Sequence, residues 1–367
     1  MVNLSPPGLF YLGIYCPTKI IFMDRRKFVS VSLLSLPALI GSSAWQMSAM
    51  SEKAFVLKSG QSRFGVPTPF LGVNPNDLKV STKDTSGNLS AFDYIGTQKT
   101  GPSLHGHLYQ DEVFSVLEGS YIFQLGEEKQ LLNAGDLIFL PRSIKHSWLQ
   151  VSDTGQMLYF LQPAGKMEEF FLKMTELGGK ASESEMKQAR LDAGIVDFGP
   201  PLSLSEKHAI SESLSNGFII RSGKSRFGEE TVLNGKNKND IKVSGKDTGS
   251  ELTIFEYHGL EKGGPPLHLH HYQDEIFYVT HGSYMFQCAN ERYTLQKGDM
   301  IFLPRGVPHA FAQLSEEGKL LYFFQPSGKM EDFFRAVAQN EGPTSEDQGK
   351  KLFNDHDMQI SGPPIEV

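Results

Sequence analysis

A large part of this chain is written twice, at a single offset of 163 residues. Ser59-Gly-Gln-Ser-Arg-Phe-Gly65 returns as Ser222-Gly-Lys-Ser-Arg-Phe-Gly228. Asn76-Asp-Leu-Lys-Val80 returns as Asn239-Asp-Ile-Lys-Val243, and Gly135-Asp-Leu-Ile-Phe-Leu-Pro-Arg142 as Gly298-Asp-Met-Ile-Phe-Leu-Pro-Arg305. Even Gly199-Pro-Pro201 matches Gly362-Pro-Pro364. All these matches share one register, so no net insertion separates the copies. Solenoid repeats run about 20–50 residues. A unit this long is a whole domain, duplicated, and 367 residues are enough for two domains of ordinary size.

The duplication also filters the histidines. Of 11, six recur as pairs: His105/His268, His107/His270 and His146/His309. Glu112 and Glu275 recur with them, each 34 residues before the last histidine of its copy. Three imidazoles and one carboxylate at fixed spacing suit a divalent transition metal such as Mn, Fe, Co or Ni, with one ion expected in each half. His258, His271, His281, His208 and His356 have no histidine counterpart and read as surface residues.

Composition is that of a globular protein, with 39% hydrophobic and 21% charged residues. A net charge of −7 and the absence of a basic cluster argue against nucleic-acid binding. There are two cysteines, Cys16 and Cys288, which leaves no internal disulfide if the N-terminal segment is removed. Cys288 lies in an apolar run and reads as a small core residue.

That N-terminal segment has its own signature. Arg25-Arg26-Lys27-Phe28-Val29 opens a short, Ser-diluted apolar stretch ending in small residues, and resembles the bacterial twin-arginine export signal. Residues 23–44 are expected to be this signal peptide, and residues 1–22 a start-site extension. The apolar run from Phe28 is short and broken by Pro37, so no stable membrane span is expected after cleavage. The resemblance implies a periplasmic or otherwise exported protein.

The remainder divides into 51–204 and 214–367. Each half reads as strand-rich, with short runs such as Val113–Leu117, Tyr121–Leu125, Leu137–Leu140 and Leu158–Leu161 between Gly, Asn and Asp turns, the pattern of a sandwich or barrel. Each half then closes on helical periodicity, over Lys166–Leu177 and 182–194, and over Lys329–Gln339 and 344–355. The Met and Phe stripes of these helices read as packing faces.

Alternation along a strand points His105 and His107 the same way, and likewise His268 and His270. Glu112 stands an odd five residues beyond His107, so a bend or bulge is expected to return it to the same interior. The last histidine arrives from a distant strand after the Pro-Arg turn. Phe114 shares the face of Glu112, and Trp148 and Gln150 that of His146. Their counterparts are Phe277, Phe311 and Gln313. These six are expected to wall an apolar pocket for a small organic ligand. The alternative is that the aromatics simply fill a barrel.

The pattern His-x-His-x4-Glu-x6-Gly followed by Gly-x5-Pro-x4-His resembles the two cupin motifs. Glu112–Gly119 and Glu275–Gly282 carry the first spacing. Gly135/Pro141/His146 and Gly298/Pro304/His309 carry the second. Ser143 departs from the glycine usual there, which Gly306 keeps. Gln150 and Gln313 stand where asparagine is common. The Gly-Pro-Pro-Leu-His-Leu-His opening and the two-domain layout are most similar to the quercetin 2,3-dioxygenase-like bicupins.

The resemblance implies an all-β-dominated fold of two tandem cupin barrels, each a double-stranded β-helix or jelly roll, with short C-terminal helices. It implies a metal-dependent dioxygenase that cleaves a flavonol or related hydroxylated aromatic with O2, losing carbon monoxide. Glu112 or Glu275 would act as general base, and His105, His107, His146, His268, His270 and His309 would complete the metal sites. The expected partners are a small aromatic substrate and O2, with the protein a monomer or homodimer. Alternatives are an oxalate decarboxylase-like enzyme, a sugar isomerase, or a non-catalytic metal- or ligand-binding bicupin. An oxalate-type substrate calls for a nearby arginine, and the segments just before His105 and His268 contain none.

Overall fold

Short apolar runs cut by Gly, Asn and Asp turns cannot make long helices, and strand is the main regular structure of the described residues. The computed structural model describes residues 54–205, 208–339 and 345–367. The expected start extension and export signal lie outside the described residues. In the first half the elements are β1 (Phe55–Leu57), β2 (Asn76–Val80), β3 (Ser90–Gly96), β4 (Ser103–His107), β5 (Asp111–Glu118), β6 (Ser120–Leu125), β7 (Glu128–Asn133), β8 (Leu137–Leu140), β9 (His146–Gln150), β10 (Gly155–Gln162), α1 (Met167–Leu177), α2 (Glu183–Asp192) and β11 (Ile195–Pro201). The second half follows with β12 (Phe218–Ile220), β13 (Val232–Leu233), β14 (Asn237–Val243), β15 (Thr253–Gly259), β16 (Pro266–His270), β17 (Asp274–His281), β18 (Ser283–Cys288), β19 (Glu291–Gln296), β20 (Met300–Leu303), β21 (His309–Gln313), β22 (Gly318–Gln325), α3 (Met330–Gln339), α4 (Glu346–Asp355) and β23 (Met358–Pro364).

Each half stacks two antiparallel sheets. In the first half their orders are β12-β8-β5-β10-β3-β2 and β11-β4-β9-β6-β7. In the second they are β1-β20-β17-β22-β15-β14-β13 and β19-β18-β21-β16-β23. Apart from the within-sheet pairs such as β2–β3, β6–β7, β14–β15 and β18–β19, the chain passes back and forth between the two sheets, as in a jelly roll. Each barrel has its own aromatic core, Tyr94, Phe114 and Trp148 among others in the first, Tyr257, Phe277 and Phe286 in the second. A third core lies between the barrels, where Val113, Phe160 and Leu137 meet Ile276, Phe323 and Tyr278.

The strand that opens each half belongs to the other half's sheet. β1 pairs with β20, setting Phe55 against Phe302 with their rings stacked at 5.2 Å. β12 pairs with β8, and Phe218 stacks on Phe139 at 5.0 Å. The repeated Ser-Gly-x-Ser-Arg-Phe-Gly motif follows each exchanged strand and clasps the Gly-Asp turn of the opposite half. Asp299 accepts from the backbone N–H of Ser59 at 3.0 Å and pairs with Lys58 at 2.9 Å. Asp136 accepts from Ser222 N–H and pairs with Arg221, both at 2.9 Å. Arg63 then pairs with Asp84 at 2.9 Å while its guanidinium covers Phe55 at 3.7 Å. Arg226, Asp247 and Phe218 repeat the arrangement.

A further buried polar cluster spans the interface. The Tyr278 hydroxyl donates to Asp93 at 3.0 Å, Gln156 donates to the same carboxylate at 2.8 Å, and Lys79 stands 3.6 Å away. Burial raises the Asp93 carboxyl, while Lys79 and these hydrogen bonds oppose that shift.

Because each half completes the other, a chain cut at the exposed Leu204–Ser205 connection should remain in one piece. Gel filtration of the nicked protein should give the intact mass in native buffer and two fragments only in denaturant. Separation in native buffer would contradict the exchange.

Candidate metal centre

The ligand residues reach each other from both sheets of a barrel. His105 and His107 sit on β4, and His146, at the start of β9, pairs directly with His105. Glu112 is the second residue of β5, in the opposite sheet. Of the bend or bulge expected between His107 and Glu112, the structure has a bend, at Leu108 and Tyr109, where residues 108–110 carry the chain from one sheet to the other. This resolves the odd spacing, since a residue facing the interior from the far sheet need not keep strand parity. The second barrel repeats it, with His268 paired to His309 and Glu275 opposite on β17.

The four ligand atoms of each cluster lie within 4.8 Å of one another. Glu112 Oε2 is 2.9 Å from His146 Nε2, and Glu112 Oε1 is 3.4 Å from His107 Nε2. Glu275 Oε2 is 2.9 Å from His309 Nε2 and 3.4 Å from His270 Nε2. A metal holding each donor at about 2.1 Å needs only a small contraction of this cage. The imidazoles are oriented for it. Nδ1–H of His105 donates to Ser103 O at 2.7 Å and that of His146 to Ile144 O at 2.9 Å. His268 and His309 donate in the same way to Pro266 O and Val307 O, at 2.8 and 2.9 Å. Such bonds leave Nε2 as the free lone pair. Both ring nitrogens of His107 and of His270 are buried without a hydrogen-bond partner, a cost that coordination through Nε2 reduces.

Electrostatics favour the same state. Burial, with His146 and His107 alongside, holds His105 well below the usual imidazole range. Burial, with His309 and His270, pushes His268 down to about 3. Burial alone would raise the Glu112 carboxyl, but His107 and His146 more than offset this and hold it low, and Glu275 behaves likewise. Three neutral nitrogens and one carboxylate are a donor set for a divalent transition metal.

Two features outside the ligands hold this geometry. Arg142 grips Asp111 at 2.6 Å, and Arg305 grips Asp274 at 2.6 Å, tying the turn before each last histidine to the residue before each glutamate. The repeated Asp-Glu and Pro-Arg pairs were the available signal for this clasp. The turn itself survives the loss of glycine, since Ser143 takes a left-handed φ of 66° where Gly306 has 75°. Ser143 N–H still bonds His107 O at 2.7 Å, as Gly306 does His270 O.

The barrels differ in their interiors. In the second, a cavity of about 270 Å³ opens onto His268, His270, Glu275 and His309. Phe277, Phe311 and Tyr257 wall it from the strands, and Phe333 and Phe334 from α3. The apolar stripe of α3, expected to be a packing face only, is thus also a cavity wall. In the first barrel Trp148 lies 5.0 Å from Tyr94 and 5.4 Å from Phe70, and Phe114 stacks on Tyr159 at 5.0 Å. The counterparts of Phe70 and Trp148 are Leu233 and Phe311, both smaller, and both line the second cavity. Gln150 and Gln313 depart from the expected pocket role. Their amides donate to Gly96 O and Ser152 O, and to Gly259 O and Ser315 O, at 3.0–3.2 Å, so they brace the barrel wall. His271 is exposed, outside the cluster.

The cupin domain model matches residues 95–161 and 257–324. Each half carries a cupin domain. A stretch of 69 residues is 29% identical to an uncharacterized protein of Streptomyces coelicolor, covering 19% of this chain and 66% of that one. Another of 43 residues is 37% identical to an uncharacterized protein of Methanocaldococcus jannaschii, covering 12% and 34%. The chain spans less than two thirds of the length of either relative. Similar solved structures include an oxalate decarboxylase (TM-score 0.50, 14% identity, 78% of this chain and 87% of that one). Procruciferin, an 11S globulin of Brassica napus, gives 0.52 at 10% identity over 75% and 84%. The coconut allergen cocosin gives 0.52 at 11% identity over 75% and 86%. These likenesses show the fold, two cupin barrels in one chain.

Metal analysis should find two divalent ions per chain, falling to one in His270→Gln, and chelation should lower the thermal midpoint of the wild type. Two ions retained in His270→Gln would contradict the assignment. A pH dependence follows for the metal-free protein. His268 binds its proton near 6.5 when unfolded but only near 3 when folded. Between these values the unfolded chain holds the extra proton, so stability falls as pH falls through that window. Urea midpoints from pH 7 to 4 should show the decline, and His268→Gln should make it shallower.

Proposed function

We propose that the protein is a metal-dependent dioxygenase acting on a flavonol or related hydroxylated aromatic, and that the second barrel carries the reaction. The observation that supports this most is the aromatic-walled cavity opening directly onto the His268–His270–Glu275–His309 cluster. A bound Mn, Fe, Co or Ni ion would supply a Lewis-acid site for the substrate hydroxyl and access to oxygen chemistry. Phe277, Phe311, Phe333 and Phe334 would hold the aromatic rings and exclude water. Glu275, held ionised among the imidazoles, would accept the hydroxyl proton. Ring opening by O2 with release of carbon monoxide is what the quercetin 2,3-dioxygenase-like motif pattern implies. The Arg25-Arg26 sequence supports extending the proposal to an exported protein.

A second reading attaches to the first barrel, where α2 delivers an arginine that the segment before His105 lacks. Arg190 donates to Ser103 Oγ at 2.9 Å and pairs with Asp197, whose backbone is opposite His105 on β11. Its counterpart in the second barrel is Phe353, which lies edge-on to His268 at 5.5 Å. A cation near the first cluster suits a small carboxylate, as in an oxalate decarboxylase-like activity, and carbon dioxide release from oxalate would reveal it.

Oxygen uptake with quercetin, on protein loaded separately with each of the four metals, tests the first reading. At least one metal should support turnover. Glu275→Gln should lower kcat by about 100-fold or more, while Glu112→Gln should keep most of it. No uptake with any metal would overturn the assignment.

A further inference from the structure

The two barrels place the same tyrosine in the same position and treat its hydroxyl differently. In the first, Asn74 Nδ2 donates to the Tyr94 hydroxyl at 2.9 Å, while Asn74 Oδ1 accepts from Thr97 and Gln98. The counterparts 163 residues on are Asn237, Tyr257, Leu260 and Glu261. Asn237 Oδ1 still accepts a backbone N–H, that of Leu260, at 2.8 Å. Its Nδ2 has turned away and donates to Glu261 Oε1 at 3.2 Å. Replacing a neutral glutamine side chain by a carboxylate explains the turn, because a charged acceptor competes better for an amide N–H than a phenol does.

Tyr257 is left without a partner. It is 6% exposed and lines the cavity, and among the described residues no group hydrogen-bonds its hydroxyl. The nearby Gln313 amide is engaged with Gly259 O, Ser315 O and the Tyr284 hydroxyl. Burial pushes the Tyr257 phenol up to about 12, so it stays protonated and acts as a donor. The hydroxyl opens onto the cavity and is not sealed into the wall, so an acceptor on a ligand can take its hydrogen bond. The cavity of this barrel is lined by Leu233 and Phe311, the smaller counterparts of Phe70 and Trp148. An unpaired donor on the wall of a mostly apolar cavity is the arrangement by which such sites orient a ligand.

We propose that Tyr257 positions the ligand of the second barrel by donating a hydrogen bond to an oxygen remote from the metal-bound one, and that Leu233 and Phe311 restrict binding to this barrel. This rests on the reading of the second cavity as the ligand site. The ligand is then an aromatic molecule with at least two oxygens, one for the metal and one accepting from Tyr257. In the first barrel the equivalent hydroxyl already accepts from Asn74, and Phe70 and Trp148 stand at the positions of Leu233 and Phe311.

The test is anaerobic titration of the metal-loaded full chain with two probes, quercetin, which has several oxygens, and 2-naphthol, which has one. Tyr257→Phe should weaken quercetin about 3- to 10-fold, the worth of one hydrogen bond, and leave 2-naphthol within about twofold on the same scale. Leu233→Phe with Phe311→Trp should abolish binding of both probes while two metals per chain remain. Equal weakening of both probes by Tyr257→Phe, no weakening of either, or binding that survives the filled cavity would overturn the proposal, as would a wild type that binds neither probe. Binding is read without oxygen, so a protein that binds quercetin in this way but consumes no O2 would contradict the dioxygenase reading and leave this one standing.

Discussion

Three imidazoles and a carboxylate, all turned toward one point in a barrel interior, are the constraint on which the rest depends. Without a cation the arrangement is costly, since buried charge and unpaired nitrogens both carry penalties. The chain accepts it twice. It does so by joining the ligands from two sheets, so that barrel closure itself sets their distances. The direct pairing of His105 with His146, and of His268 with His309, fixes one side of each cage. The crossing at residues 108–110, locked by Asp111 and Arg142, fixes the other.

The exchanged strands make this a property of the whole chain. Lys58 and Ser59 hold the turn at Asp299, while Arg221 and Ser222 hold the turn at Asp136. Each of those turns starts the strand that leads to the last histidine of its barrel. The geometry of one metal centre therefore depends on residues from the other half. Shared support of this kind accounts for the strict register of the duplication, since an insertion in either copy would disturb a clasp in the opposite one. The barrels diverge where that support is not engaged: Phe70 against Leu233, Trp148 against Phe311, Gln98 against Glu261, and Arg190 against Phe353.

Much of the fold and the ligand set was legible because duplication exposes what both copies need. The His, Glu, Pro and Gly spacings stood out at one offset, and His271 fell away for lack of a counterpart. The same filter hid what makes the barrels different. Arg190 has a phenylalanine as its counterpart and lies far along the chain from His105. Leu233 and Tyr257 carry no motif, and their meaning appears only when the cavity and the Asn237 side chain are seen together. The destination of β1 was equally hidden, because Phe55-Val-Leu57 is an apolar strand that would pair with either large sheet. Gln150 and Gln313 show the limit of face alternation. They occupy inward positions, but their amides are taken by backbone carbonyls.

The account stands or falls on two metal centres of the same coordination and unequal access. Anomalous diffraction from metal-loaded crystals soaked anaerobically with quercetin tests it most directly. It should show a metal with three imidazole nitrogens and one carboxylate in each barrel, and a flavonol oxygen added at the His268–His270–Glu275–His309 centre alone. Metal bound elsewhere, or quercetin seated at the His105–His107–Glu112–His146 centre, would contradict it.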